Sequence, residues 1–89
     1  MVAGDITQGQ RIEGSDPYHW PEGGYGLFHG HWYGKAPGGE LGNLSGHDLT
    51  EHEDGTLTVA PSILISTRRG GQDVQLWHGY LERGVWREV

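Results

Sequence analysis

Hydrophobic and polar residues alternate with a period of two through much of the second half of the chain. Thr56-Leu57-Thr58-Val59-Ala60 changes face at each step, the pattern of a half-buried strand rather than of a helix. Ser62-Ile63-Leu64-Ile65-Ser66 is a short β-branched run directly after Pro61. From Asp73 to Leu81 the alternation puts Val74, Leu76, His78 and Tyr80 on one face and Gln75, Trp77, Gly79 and Leu81 on the other. The face with His78 reads as the inward one. A last strand runs from Val85 to Val89, and in the first half Leu27 to Tyr33 forms one aromatic-rich extended run. Glycines interrupt every segment that could hold a helical period.

The turn residues support the same reading. Asp54-Gly55 separates His47–Glu53 from Thr56–Ala60 and is a preferred dipeptide of two-residue type I′ hairpins. In that register Glu53 faces Thr56, His52 faces Leu57 and Thr50 faces Val59. Glu82-Arg83-Gly84 predicts a hairpin closed by a bulge, and Gly70-Gly71 turns the chain after Arg68-Arg69. Pro61, with no N–H to donate, belongs at a strand end or a bulge.

Composition sharpens the fold class. At 89 residues the chain is expected to form one domain. Glycine accounts for 17 residues, 12 of them before residue 47, so the first half reads as loop-rich. The expectation is an all-β protein: a small antiparallel sheet, roll or sandwich of about five or six short strands. Residues 25–89 form its core, and residues 1–24 are a Gly/Pro-rich loop or arm. Tyr18 and Trp20 there either pack on the sheet or stay free.

Other properties exclude whole classes. The absence of cysteine removes disulfides and thiolate metal sites. No apolar run reaches the length of a membrane span, and Met1–Gln10 does not have the pattern of a secretory leader. A net charge of −6 with only six Lys and Arg argues against nucleic acid as the main partner.

Six histidines stand out: His19, His29, His31, His47, His52 and His78. On one strand His29 and His31 share a face. With His52, and Glu51 and Glu53 nearby, they make a candidate site for Zn²⁺ or Fe²⁺. Arg68 and Arg69, with Trp77 for stacking and His78 beside it, make a candidate site for a nucleotide or other small anion. Glu51 and Glu53 at strand spacing read as a solvated edge. Ser45, Ser62 and Ser66 lie in no Gly-x-Ser-x-Gly elbow. Gly23-Gly24-Tyr25-Gly26 and Gly38-Gly39 lack the Gly-Lys-Ser/Thr of a P-loop. The four Trp and four Tyr exceed what so small a core needs, and this surplus suits an interaction surface.

The block His52 to Leu64 followed by Trp77 to Trp86 resembles a family of small proteins, uncharacterised in function, common in bacteriophages, prophages and actinobacterial genomes. The shared features are a Pro-Ser-Ile/Val-Leu strand, here Pro61-Ser62-Ile63-Leu64, and a His-Gly/Ser-Phe/Tyr-Leu/Val segment, here His78-Gly79-Tyr80-Leu81, before a Gly-containing turn. Many larger relatives carry cysteines that this chain lacks. The resemblance implies a small β fold of phage type and no particular reaction. It makes Ser62 and His78 the positions to test.

Together these readings lead to a non-enzymatic binding module. Its expected partner is viral, as for a capsid-decorating or stabilising protein, or a host factor, as for a small acidic inhibitor. Its expected place is the virion or the host cytoplasm. A homo-oligomer is compatible with this, and the metal-binding and anion-binding readings stand as alternatives.

Overall fold

The structure, a computed structural model, describes residues 6–89. The first five residues of the expected arm lie outside the described residues. Nine strands are found there, in two sheets. The five-stranded sheet joins β1 (Ile6–Gln8), β9 (Val85–Glu88), β8 (Gln72–Glu82), β7 (Leu57–Arg69) and β6 (Asp48–Glu51), in that order. The four-stranded sheet joins β2 (Gln10–Arg11), β3 (Gly24–Phe28), β4 (His31–Lys35) and β5 (Leu41–Asn43). All pairings are antiparallel except β2 with β3. The all-β class is therefore as expected, and the additional strands come from the Gly-rich first half.

A shared core holds the sheets together. Leu57, Val59, Ile63 and Ile65 of β7, Trp77 and Leu81 of β8 and Trp86 of β9 meet Tyr25, Ala36 and Leu44 from the other side. Burying each large apolar side chain is worth about 1.5–3 kcal/mol. Trp86 is at the centre, edge-to-face with Trp77 at 5.4 Å, and its Nε1–H donates to the Gly23 carbonyl at 2.8 Å. Opposite it stands Gly34, where a Cβ would lie 2.7 Å from the Trp86 ring. The absent side chain lets the second sheet close on the indole.

Residues 6–24 are built into this fold, against the expectation of a loop or arm. β1 pairs β9, with Ile6 opposite Arg87, and β2 joins the other sheet two residues later. Trp20 is buried and its Nε1–H donates to the Ser15 carbonyl at 3.0 Å, whereas Tyr18 stays exposed. One aromatic of the segment thus packs and the other does not.

Four local expectations are corrected. The run Leu27–Tyr33 is a hairpin, not one strand, because His29 and Gly30 both take positive φ (49° and 81°) and turn the chain between β3 and β4. The β6–β7 connection is one residue longer than a type I′ turn. Gly55 N–H donates to the His52 carbonyl and His52 N–H to the Thr56 carbonyl, with Gly55 alone left-handed at φ 86°. This is a three-residue turn with a glycine bulge. The register moves by one, so that Thr50 faces Thr58 and Leu49 faces Val59. The β8–β9 connection goes the other way: Arg83 and Gly84 are both left-handed, and Glu82 pairs directly with Val85 with no bulge. Finally, the inward face of β8 is Trp77, Gly79 and Leu81, and His78 lies on the opposite face.

Pro61 falls at a bulge, as expected. The register of β7 against β8 shifts between Val59 and Ile63. The strand continues through it, so the two expected strands 56–60 and 62–66 are one.

Candidate functional site

The outer face of the five-stranded sheet carries the residues singled out by the family resemblance. Strand register places its side chains in rows. Arg87 stands between Ile6 and Tyr80, Val85 between Gln8 and Glu82, and His78 opposite Leu64. Val89 adjoins His78, its N–H donating to the His78 carbonyl at 2.9 Å. Ile6 and Leu64 in their strands and Val89 just past the end of β9 are 68%, 56% and 68% exposed. The Arg87 guanidinium lies over the Tyr80 ring at 4.6 Å and also reaches Glu82 at 3.5 Å. The face is thus apolar in patches, with polar groups held against one another between them.

Ser62 and His78 meet on this face: Ser62 Oγ and His78 Nε2 are hydrogen-bonded at 3.0 Å. The bulge at Pro61 brings the serine, two residues before Leu64, within reach of the imidazole. Among the described residues no carboxylate hydrogen-bonds the other ring nitrogen of His78. The pair has the serine and base of an acyl-transfer site without the group that would orient the base.

The other predicted site residues are dispersed. His29 lies in the β3–β4 turn, its ring edge-on to Phe28 at 4.2 Å. His31 opens β4, its Nδ1 3.4 Å from Ser45 Oγ. His52 is at the β6–β7 turn, its Nε2 hydrogen-bonded to Thr58 Oγ1 at 2.7 Å. The positive φ of His29 breaks the strand spacing that would have aligned it with His31. Among the described residues no three His, Asp or Glu side chains are grouped to hold a metal ion. Glu53 is in the turn and not on a strand face with Glu51.

The anion constellation is also divided. Arg68 and Arg69 are exposed at the tip of the β7–β8 hairpin, where Arg68 contacts Asp73 at 3.4 Å and donates to the Gly71 carbonyl. Trp77 is buried in the core and faces Ile65, so it offers no stacking surface, and His78 faces away from it.

A cleft of about 360 Å³ between the β6–β7 and β8–β9 turns is lined by His52, Glu53, Asp54 and Arg83. Thr58 Oγ1 ties its walls together, bonding His52 and accepting from Arg83 N–H at 3.0 Å. The Thr56 hydroxyl, then the Thr56 N–H, hold the Asp54 carboxyl below its ordinary range. That is the electrostatics of a turn cap, and it leaves the carboxylate occupied.

Arg11 was not legible as a site residue. Its Nη1–H groups donate to Glu51 at 2.9 Å and to the Gly55 carbonyl at 2.8 Å. Its guanidinium lies 5.0 Å from the Trp32 ring centre and reaches Glu13 at 3.3 Å. It links the four-stranded sheet to the edge of the five-stranded one. The sequence signal, one arginine in a polar segment, gives no hint of partners 40 and 44 residues away.

The chain matches no protein-family model, no curated protein and no solved structure. Among the described residues no helix is long and apolar enough to cross a membrane.

Proposed function

We propose that this chain is a non-enzymatic binding module that engages a protein partner through the outer face of its five-stranded sheet. The observation that carries this reading is the exposure of Ile6, Leu64 and Val89 on one face, with Tyr80 between Ile6 and Leu64 by register. Exposed apolar side chains gathered on one surface are typical of interaction sites. The polar members fit the same role: Tyr80 under Arg87 is an aromatic–arginine pair of the kind enriched at binding hot spots. Binding is favoured over turnover because Ser62 and His78 lie on an open sheet surface that does not enclose a substrate.

The setting follows from the sequence resemblance alone. It makes the partner a virion protein, which the module would decorate or stabilise, or a host factor that it would inhibit, and places the protein in the virion or the host cytoplasm. The test is cross-linking of the tagged protein in infected or lysogenic cells, with cross-linked peptides located by mass spectrometry. Cross-links to one protein are expected at the outer face, lost in Leu64→Glu with Tyr80→Ser and retained in His29→Ala. Capture that survives the outer-face double substitution would defeat the reading.

A further inference from the structure

β7 is paired on one edge along nearly its whole length and on the other only in part. β8 runs beside it from Val59 to Arg69, but β6 covers only Leu57 to Ala60. From Ser62 to Arg69 the second edge has no strand beside it among the described residues. β5, at the edge of the other sheet, pairs only with β4. Between these edges runs a groove of about 250 Å³, lined by Leu41–Leu44, His47 and Ile63–Ser66. Within it the His47 Nδ1 is buried without a hydrogen-bond partner.

The open edge reads Ser62-Ile63-Leu64-Ile65-Ser66-Thr67. Natural edges are blunted by lysines, inward charges or prolines. This stretch has none, so its unpaired N–H and C=O groups are a template for another strand. Charges occur only at its ends: Arg68 and Arg69 at one, and at the other Asp48, which opens β6 opposite Ala60. Arg68 contacts Asp73, whereas neither Arg69 nor Asp48 forms an ion pair with another described residue.

We infer that the occupant of this edge is the same edge of a second copy, paired antiparallel about a two-fold axis at Ile65. Pairing must set inward residues opposite inward residues. Centred on Ile65, it faces Ile65 with itself, Leu64 with the partner's Ser66, Ile63 with the partner's Thr67 and Ser62 with the partner's Arg68. The partner's Arg69 then arrives at the Ala60–Pro61 bulge, beside Asp48, and the same contact recurs at the other end. A ladder centred on Leu64 would drive the partner's Arg68 and Arg69 into the row that β6 occupies. One centred on Ser66 gives up the pairing of Ser62. The Ile65 register pairs as much of the open edge as the Ser66 register does, and of the two only it joins opposite charges at both ends. It also merges the two five-stranded sheets into one, with their outer faces side by side. This inference stands on the edge and not on the outer-face reading.

The test is the mass of the purified full chain by sedimentation over a concentration series, with two kinds of variant. Asp48→Lys and Arg69→Glu are each expected to weaken dimerisation by about tenfold, and the double exchange to restore it. Because the chain has no cysteine, Leu64→Cys mixed with Ser66→Cys reads the register directly. Directly opposed antiparallel residues have Cα atoms about 4.5–5.5 Å apart, within disulfide range. That mixture is expected to cross-link faster than either variant alone. Monomeric mass at all concentrations would overturn the inference, even if a foreign extended peptide bound the edge. So would a dimer indifferent to both charge changes, or equal cross-linking of the mixture and the single variants. Partner capture that survives the outer-face substitutions, with the dimer intact, would count against the proposed function alone.

Discussion

The two sheets contribute to the shared core by different means. In the five-stranded sheet, long β7 and β8 alternate on either side of their bulges and supply most of the core. In the four-stranded sheet the strands have at most five residues; glycines at 34 and 42 stand where side chains would collide with the opposing layer, and glycines at 24 and 26 where they would collide with the segment around Ile12 and Trp20. One sheet contributes bulk and the other contributes room. The second sheet therefore depends on the first: Ile65 packs where Gly42 has no side chain, and Trp86 where Gly34 has none.

The comparison predicts unequal damage. Trp86→Ala removes the side chain on which both sheets close and is expected to cost about 3–5 kcal/mol, read by chemical denaturation. A loss under about 1 kcal/mol would mean that the sheets hold together without it. Gly34→Ala inserts one methyl group against the same indole. Overpacking of this kind costs about 1–3 kcal/mol, and the expected sign of near-neutrality in Trp86→Phe/Gly34→Ala, relative to Trp86→Phe alone, locates the strain at this contact. Arg11→Gln should cost about 1–2 kcal/mol through the lost bonds to Glu51 and Gly55, with a smaller loss at high salt if the ion pair rather than the carbonyl bond dominates.

The pH dependence is expected to be the smallest effect. Burial, opposed by Arg11 and reinforced by Asp54, raises the Tyr25 pKa above its ordinary 10.0. The neutral phenol is thus favoured in the folded state. Its contribution is full below pH 10 and is lost as pH rises through the folded-state value. Tyr25→Phe should flatten that alkaline loss in a pH series of melting temperatures. Asp54 has the opposite sign: its lowered pKa gives stability above the ordinary carboxylate range that disappears on acidification, and Asp54→Asn should reduce the acid-side slope.

The difference between the sheets also explains what could be read from the sequence. Alternation in 56–60 and 73–81 revealed the long strands, because period two survives wherever a strand has one buried face. Which face was buried was not legible for β8. Val74, Leu76 and Tyr80 made the His78 face look more apolar than the one holding Gln75 and Gly79, and only packing against Trp86 decides for Trp77 and Leu81. Turn positions were legible from Asp54-Gly55 and Gly70-Gly71. Turn lengths were not, since Asp54 bonding to Thr56 favours the longer loop, while Arg83 accepts a left-handed φ that its residue type seldom takes. The same difficulty hid the β3–β4 hairpin at His29 and with it the separation of the candidate metal ligands. The proximity of Ser62 and His78 was not legible, since it depends on the bulge at Pro61, and Arg11 was hidden because its partners are remote in sequence.

The pairing of β1 with β9 and the bond from Trp86 to Gly23, 63 residues apart, have a consequence for assembly in time. The hairpins β3–β4, β7–β8 and β8–β9 need only local closure, but the Trp86 contact across the layers waits for β9, the last of the nine described strands. Loop closure over such separations is slow relative to hairpin formation. On the ribosome the first half of this chain would emerge with Tyr25 and Leu44 uncovered until β7, β8 and β9 followed to complete the core. A truncation before Val85 should therefore leave a chain that depends on chaperones, however sound its individual hairpins.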